Sequence, residues 1–190
     1  MKHRNLFMAL IAAITFVLAA CGMDDGTSEE SAGTESEKEE MSHSEMDHSS
    51  SGEVPEDLEE AENPKYPEDS QAVIQATHMK GMEGATATVT GAFDTTVYTV
   101  TYTPTTGGEE VQDHKWVVHE EIEDAGEETF EKGDEVVLNA NHMKGMEGAT
   151  ATIDSAKDTT VYMVSYTDTE TGDEVEHHKW VTEEELAPVE

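Results

Sequence analysis

From residue 95 to 102 the chain alternates between two kinds of position, and the residues on one face, Tyr98, Val100 and Tyr102, recur later as Tyr162, Val164 and Tyr166. Alternation carried by β-branched and aromatic residues predicts a half-buried strand. The same reading predicts a first strand over residues 72–76, ending near His78, and a second over 85–89 after a turn region containing Gly81 and Gly84. Residues 103–108, with Pro104, Gly107 and Gly108, form a turn, and residues 110–118 a further strand. Glu120, Glu121 and Ile122, matched by Glu184, Glu185 and Leu186, predict a single helical turn that closes each copy. Short strands joined by tight turns in about sixty residues leave little room for helix and predict an all-β fold, a small SH3-like barrel occurring twice.

The duplication is explicit. An offset of 64 residues aligns the copies without a gap, with 30 identities in the 45 pairs from His78–Ile122 against His142–Leu186. The peptide HMKGMEGATAT opens both copies unchanged. The expected organisation is a signal peptide at 1–20, a disordered acidic tether at 21–63, one β-barrel repeat at 64–126 and a second at 127–190. Each unit is near the lower size limit for an independent core, so the two are expected to pack on each other.

The first residues change the picture of where the protein works. A basic stretch (Lys2, His3, Arg4) precedes an apolar run from Leu6 to Ala20 that is short for a transmembrane span and sits where a secretory signal would. It closes as Leu18-Ala19-Ala20-Cys21, the form of a bacterial lipobox, which predicts diacylglycerol attachment at Cys21 and tethering to the outer face of a membrane. Cys21 is the sole cysteine, so the folded part has no disulfide. From Gly22 to Asn63 the composition is too poor in large apolar residues to offset its ordering entropy. A net charge of -34, more acidic still once Lys2 and Arg4 leave with the signal, disfavours nucleic acid as a partner and keeps the protein soluble.

Candidate chemistry concentrates at the start of each repeat. His78, Met79 and Met82 recur as His142, Met143 and Met146, with glycines flanking the second methionine so that a tight loop could turn thioethers toward one point. Thioether sulfur selects Cu(I), and imidazole suits copper as well. Met82 and Met146 are open to two readings, ligation or core packing. His114 recurs as His178 on a strand that a small barrel could bring near His78, and His177 gives the second copy an additional imidazole. In the tether, Met41, His43, Met46 and His48 interleave the same donors as a weaker collecting site. No G-x-S-x-G, P-loop, H-E-x-x-H or C-x-x-C motif is present, which predicts a protein that is not an enzyme.

The lipobox, the tether's S-H-S-E-M-D-H, the paired H-M-K-G-M-E-G-A, the paired T-T-V-Y and the paired H-K-W-V together resemble small Gram-positive surface lipoproteins of the YdhK and CopL type, built from a duplicated domain of unknown function. The resemblance implies copper sequestration, with the motif falling on His78, Met79, Met82, His142, Met143 and Met146 and with His114 and His178 as further candidates. The expected function is a lipid-anchored, extracytoplasmic protein that binds Cu(I) for copper tolerance, buffering it or relaying it to a copper exporter. The alternative is an interaction module, two SH3-like barrels recognising cell-wall or peptide ligands with His and Met structural. A loosely selective zinc or general cation buffer is a third reading.

Overall fold

A computed structural model describes residues 49–189. Its strands are β1 (Gln71–Ile74), β2 (Thr86–Tyr102), β3 (Val111–Val118), β4 (Glu135–Val137), β5 (Thr150–Thr167), β6 (Glu174–Thr182) and β7 (Leu186–Pro188). Single 3₁₀ turns, His119–Glu121 and Glu183–Glu185, follow β3 and β6. The fold is all-β, as the alternation predicts. No helix among the described residues is long and apolar enough to cross a membrane.

The two segments expected as separate strands over 85–89 and 95–102 are one continuous strand, β2. The reason is its partner: β2 and β5 pair antiparallel along their length, from Ala87 opposite Tyr166 to Tyr102 opposite Ala151. Polar residues that interrupt the local pattern are thus used by the partner strand. Thr96 donates to Asp158 at 2.5 Å and Thr160 to Asp94 at 2.7 Å. Gly91 marks a register shift, and a Cβ there would lie 2.8 Å from the Phe93 ring, so its bareness lets Phe93 fold over the strand.

In this pairing Thr95 lies opposite Thr159, its own copy 64 residues later. The repeats are therefore related by a pseudo-two-fold axis through that pair. Strand order in the main sheet is β4-β5-β2-β1-β7, with β3 on β2 and β6 on β5. The sheet is not closed and is shared by both repeats, and this topology does not confirm the SH3-like barrel expected for each. Long antiparallel pairing across the axis takes the place of closure within each copy.

The cores follow the axis too. One joins Ile74, Met82 and Val89 of the first repeat to Tyr162, Val164 and Leu186 of the second. The other joins Tyr98, Val100 and Val117 of the first to Leu138, Met146 and Ile153 of the second. Between them a third cluster packs Phe93, Val97 and Trp116 against Val161, Met163 and Trp180. The sequence repeat and the packing unit are different divisions of the chain, and the described residues fall in one compact unit.

Residues 49–63 depart from the expected disordered tether. Leu58 is buried among Phe93, Trp116 and Trp180, with Val54 packed beside it, and Ala61 N–H donates to Ala92 O at 2.9 Å. These two apolar residues supply the burial that the rest of the acidic stretch lacks. The signal peptide, Cys21 and the tether donors Met41, His43, Met46 and His48 lie outside the described residues.

Candidate metal centre

Each H-M-K-G-M loop leaves the end of a short pairing segment and doubles back: Gly84 N–H donates to Ile74 O at 2.8 Å, and Gly148 N–H to Leu138 O at 2.8 Å. Gly81 and Gly145 adopt φ of 73° and 83°, the left-handed region that glycine enters without penalty. Each also sits against the opposite repeat. A Cβ on Gly81 would lie 2.1 Å from the Asp168 carboxylate, and one on Gly145 2.6 Å from Thr106 Oγ1. Thr169 N–H donates to Gly81 O at 2.9 Å and Thr105 N–H to Gly145 O at 2.8 Å, so each loop rests on the other repeat's turn.

This bend separates the two methionines. Met82 and Met146 are 0% exposed and lie within the two mixed cores. Met79 and Met143 stay partly buried beside the imidazoles. Of the two readings open for Met82 and Met146, their surroundings favour packing.

The histidines are held from across the axis. His142 Nε2 lies 2.7 Å from Glu121 Oε1, and His78 Nε2 lies 2.6 Å from Glu185 Oε1. The second oxygen of each carboxylate is filled as well. Glu121 Oε2 accepts from Trp180 Nε1 at 3.0 Å and from Val118 N–H at 3.2 Å. Glu185 Oε2 accepts from Trp116 Nε1 at 2.8 Å and from Thr182 N–H at 2.9 Å. In both cases the carboxylate belongs to one repeat and the His and Trp to the other.

The carboxylates are held ionised, and that decides which ring nitrogen donates to them. Burial pushes the Glu185 carboxyl up, but hydrogen bonding and charge from His78, with the Thr182 and Trp116 donors, bring it down to about 2. Burial opposes ionisation of Glu121 too, yet His142, Trp180 and Val118 hold it below the ordinary carboxylate value. An ionised carboxylate only accepts, so Nε2 of each His donates its proton to the carboxylate and Nδ1 is the ring nitrogen left over. Both Nδ1 atoms are buried and have no hydrogen-bond partner among the described residues. Leaving such an atom unsatisfied costs about 1–3 kcal/mol, so its persistence twice at equivalent places calls for a use.

Other candidate donors gather nearby. The His114 ring lies 6.1 Å from the His142 ring, centroid to centroid, with 36° between planes, and 5.9 Å from Tyr102. Tyr102 O–H points to Met143 Sδ at 4.0 Å. His114, Tyr102, His142 and Met143 thus form a connected set drawn from both repeats. In the symmetry-related set, His178 lies 6.1 Å from Tyr166 and Met79 packs on the core that contains Tyr166. Burial raises the phenols of both tyrosines, Tyr166 to about 12, so both stay protonated. No group of three or more His, Cys, Asp or Glu in metal-holding arrangement occurs among the described residues, so a three-donor site here requires a thioether.

Not every candidate joins these sets. His177 stands on the other side of β6 from His178, which is buried, while His177 is half-exposed at a φ of 51°. His119 has no histidine counterpart and bonds Tyr98 O–H at 2.9 Å and Gly126 O at 2.7 Å. Sequence reasoning passed over Glu121 and Glu185 as ligand-holding groups. The signal was their recurrence at the constant offset beside a recurring Trp.

Residues 69–119 and 132–183 match the family described as Protein of unknown function (DUF1541). The chain belongs to the DUF1541 family. It is 57% identical over 195 residues to the uncharacterized protein YdhK of Bacillus subtilis (strain 168), covering 98% of this chain and 94% of that protein. A crystal structure of that DUF1541 protein superposes with a TM-score of 0.75 at 62% identity, covering 77% of this chain and all of the other. A second crystal structure of the B. subtilis protein gives a TM-score of 0.62 at 64% identity over 63% of this chain and 97% of the other. The two matched DUF1541 segments each contain one H-M-K-G-M loop and one H-K-W strand, so each candidate set draws on both.

Proposed function

We propose that this DUF1541 protein is a non-enzymatic copper-binding protein, lipid-anchored through Cys21 on the extracytoplasmic face, that holds Cu(I) in two equivalent sites and buffers it or passes it to an exporter. The observation that carries this reading is the buried, partnerless Nδ1 of His78 and His142, each on a ring whose Nε2–H is held by a carboxylate. That is the arrangement by which proteins orient a metal-binding imidazole, the outer carboxylate fixing the tautomer and raising the basicity of the free nitrogen. The spacing supports a shared ion. Two imidazoles on one ion in line have centroids at most about 6.4 Å apart, taking nitrogen about 1.2 Å from the centroid and about 2.0 Å from the metal. The His114 and His142 rings are within that span. Two imidazoles and the Met143 thioether make a soft, low-coordinate donor set that favours Cu(I) over harder ions.

Anaerobic titration of the mature chain with Cu(I) against a chromophoric competitor tests this. His78→Gln with His142→Gln keeps an amide donor for each carboxylate but removes Nδ1. The expected result is loss of two copper equivalents per chain with little change in the unfolding midpoint. Full copper occupancy in the folded double variant would overturn the proposal.

A further inference from the structure

The two repeats do not finish alike. In the first, the edge of β1 is covered by β7 along three pairs, Ala72 opposite Pro188, Val73 opposite Ala187 and Ile74 opposite Leu186. The offset of 64 maps Gln71–Ile74 onto residues 135–138 and Leu186–Pro188 onto residues 122–124. There the pairing stops after one bridge, Ile122 to Leu138, with Glu123 N–H donating to Val137 O at 2.9 Å. Asp124 turns the chain away at a φ of 54°, and Ala125 N–H folds back onto Ile122 O at 3.3 Å. The other copy has Pro188 at that position, whose ring locks φ near about −65° and keeps the chain extended.

The departing chain leaves a groove of about 420 Å³ along the outer edge of β4. Val136, Val137 and Phe130 give it apolar surface, and Glu123, Asp124 and Glu135 line it with exposed carboxylates. No described Lys or Arg lines it. Leu138 N–H goes to Ala149 O on the β5 side, so alternation along the strand turns the backbone groups of Val137 and Glu135 the other way, toward the groove. Phe130 marks a second difference between the copies. Its counterpart Tyr66 is buried, and the Tyr66 O–H donates to Leu186 O at 3.1 Å, tying down the covering strand. Phe130 has no hydroxyl to hold Ile122 in that way, and its ring is only partly buried.

We propose that the β4 groove is a docking site for a partner protein, which adds an extended segment carrying Lys or Arg as a short antiparallel strand. The shape of the occupant is given by β7, which covers the equivalent edge of β1 with three extended residues. Its charge is given by the three carboxylates, and the Phe130 ring suits an ammonium or guanidinium group. A second copy of this chain fits badly, since its net charge is -34 and carboxylates on a strand edge repel a like edge. Main-chain pairing would supply affinity and alternate side chains specificity. The groove shares no residue with either candidate copper set, so it stands apart from that reading.

Titration of the isotope-labelled mature chain with an acetylated, amidated Lys-Val-Lys-Val-Lys peptide, followed by amide chemical shifts at about 0.15 M salt, tests this. Saturable shifts centred on Glu135, Val137 and Phe130 are expected. The same peptide N-methylated at each interior amide keeps every charge but cannot pair, and should bind about tenfold more weakly or worse. Glu123→Lys with Glu135→Lys, both at exposed positions, should weaken binding of the parent peptide by about tenfold or more. Equal binding of the two peptides would reveal general attraction to an acidic protein and overturn the proposal. Shifts centred elsewhere, or undiminished binding by the folded double variant, would do the same. A concentration-dependent dimer of the free chain that the double variant abolishes would assign the groove to a second copy, and would overturn it too.

Discussion

Met82 follows His78 by four residues, yet the turn at Gly81 sends its side chain into a mixed core while His78 stays at the boundary between repeats. A fully buried Met contributes through contacts that Leu can largely reproduce, since the two are close in volume. Met82→Leu is therefore expected to cost less than about 1.5 kcal/mol, and Met82→Ala about 2–5 kcal/mol, both read by urea unfolding. Met82→Leu with Met146→Leu should leave the copper count unchanged. Loss of an equivalent from that folded double variant would return Met82 and Met146 to the ligand set. The glycines at 81 and 84 made a tight loop legible in the sequence, because left-handed backbone is a local property. Which of the loop's side chains turns inward is set by Asp168 and the core beyond it, residues the local pattern does not contain. Glu121 and Glu185 were harder still to read. The chain has 44 Asp and Glu, and nothing local separates the two that meet a His from the many that face water.

At the level of elements, the 3₁₀ turn Glu183–Glu185 acts as a clasp, since Glu185 joins the His78 loop and Trp116 of the first repeat to β6 of the second. Alternation identified the strands, and recurrence of E-E after each H-K-W strand identified the turns. It did not show that strands over 85–89 and 95–102 are one, because their continuity is made by β5. The clasp has a pH signature. A carboxyl held at about 2 in the folded chain and near 4.5 when unfolded adds stability that is fully present above about 4.5 and is lost as pH falls toward 2. The shift corresponds to at most about 3 kcal/mol, and solvent screening of this partly exposed group brings it to roughly 1–2 kcal/mol. Glu185→Gln should therefore be less stable than wild type at pH 7, with the difference shrinking between pH 4.5 and 2. A difference that stays constant across that window, in urea unfolding at several pH values, would show that the charge on Glu185 does not hold the clasp.

Across the whole molecule, the axis between Thr95 and Thr159 decides what counts as a folded unit. Each mixed core takes its N-terminal part from one repeat and its C-terminal part from the other, and each His–Glu pair crosses the same boundary. Neither repeat alone retains a complete core or a complete His–Glu–Trp arrangement. The covalent link between them is less demanding: residues 127–129 are exposed between the first 3₁₀ turn and β4. A protease site inserted between Glu127 and Glu128 should accordingly be cut without separating the halves. Sedimentation of the cut protein is expected to give one species with the mass of both pieces, because the β2–β5 pairing and the three shared clusters remain. The first repeat expressed alone should self-associate, presenting the edge of β2 to a second copy so that Thr95 meets Thr95. Dissociation of the cut chain into two stable, folded monomers would mean that each repeat completes its own core, and the crossed architecture would not be what holds either His–Glu–Trp arrangement.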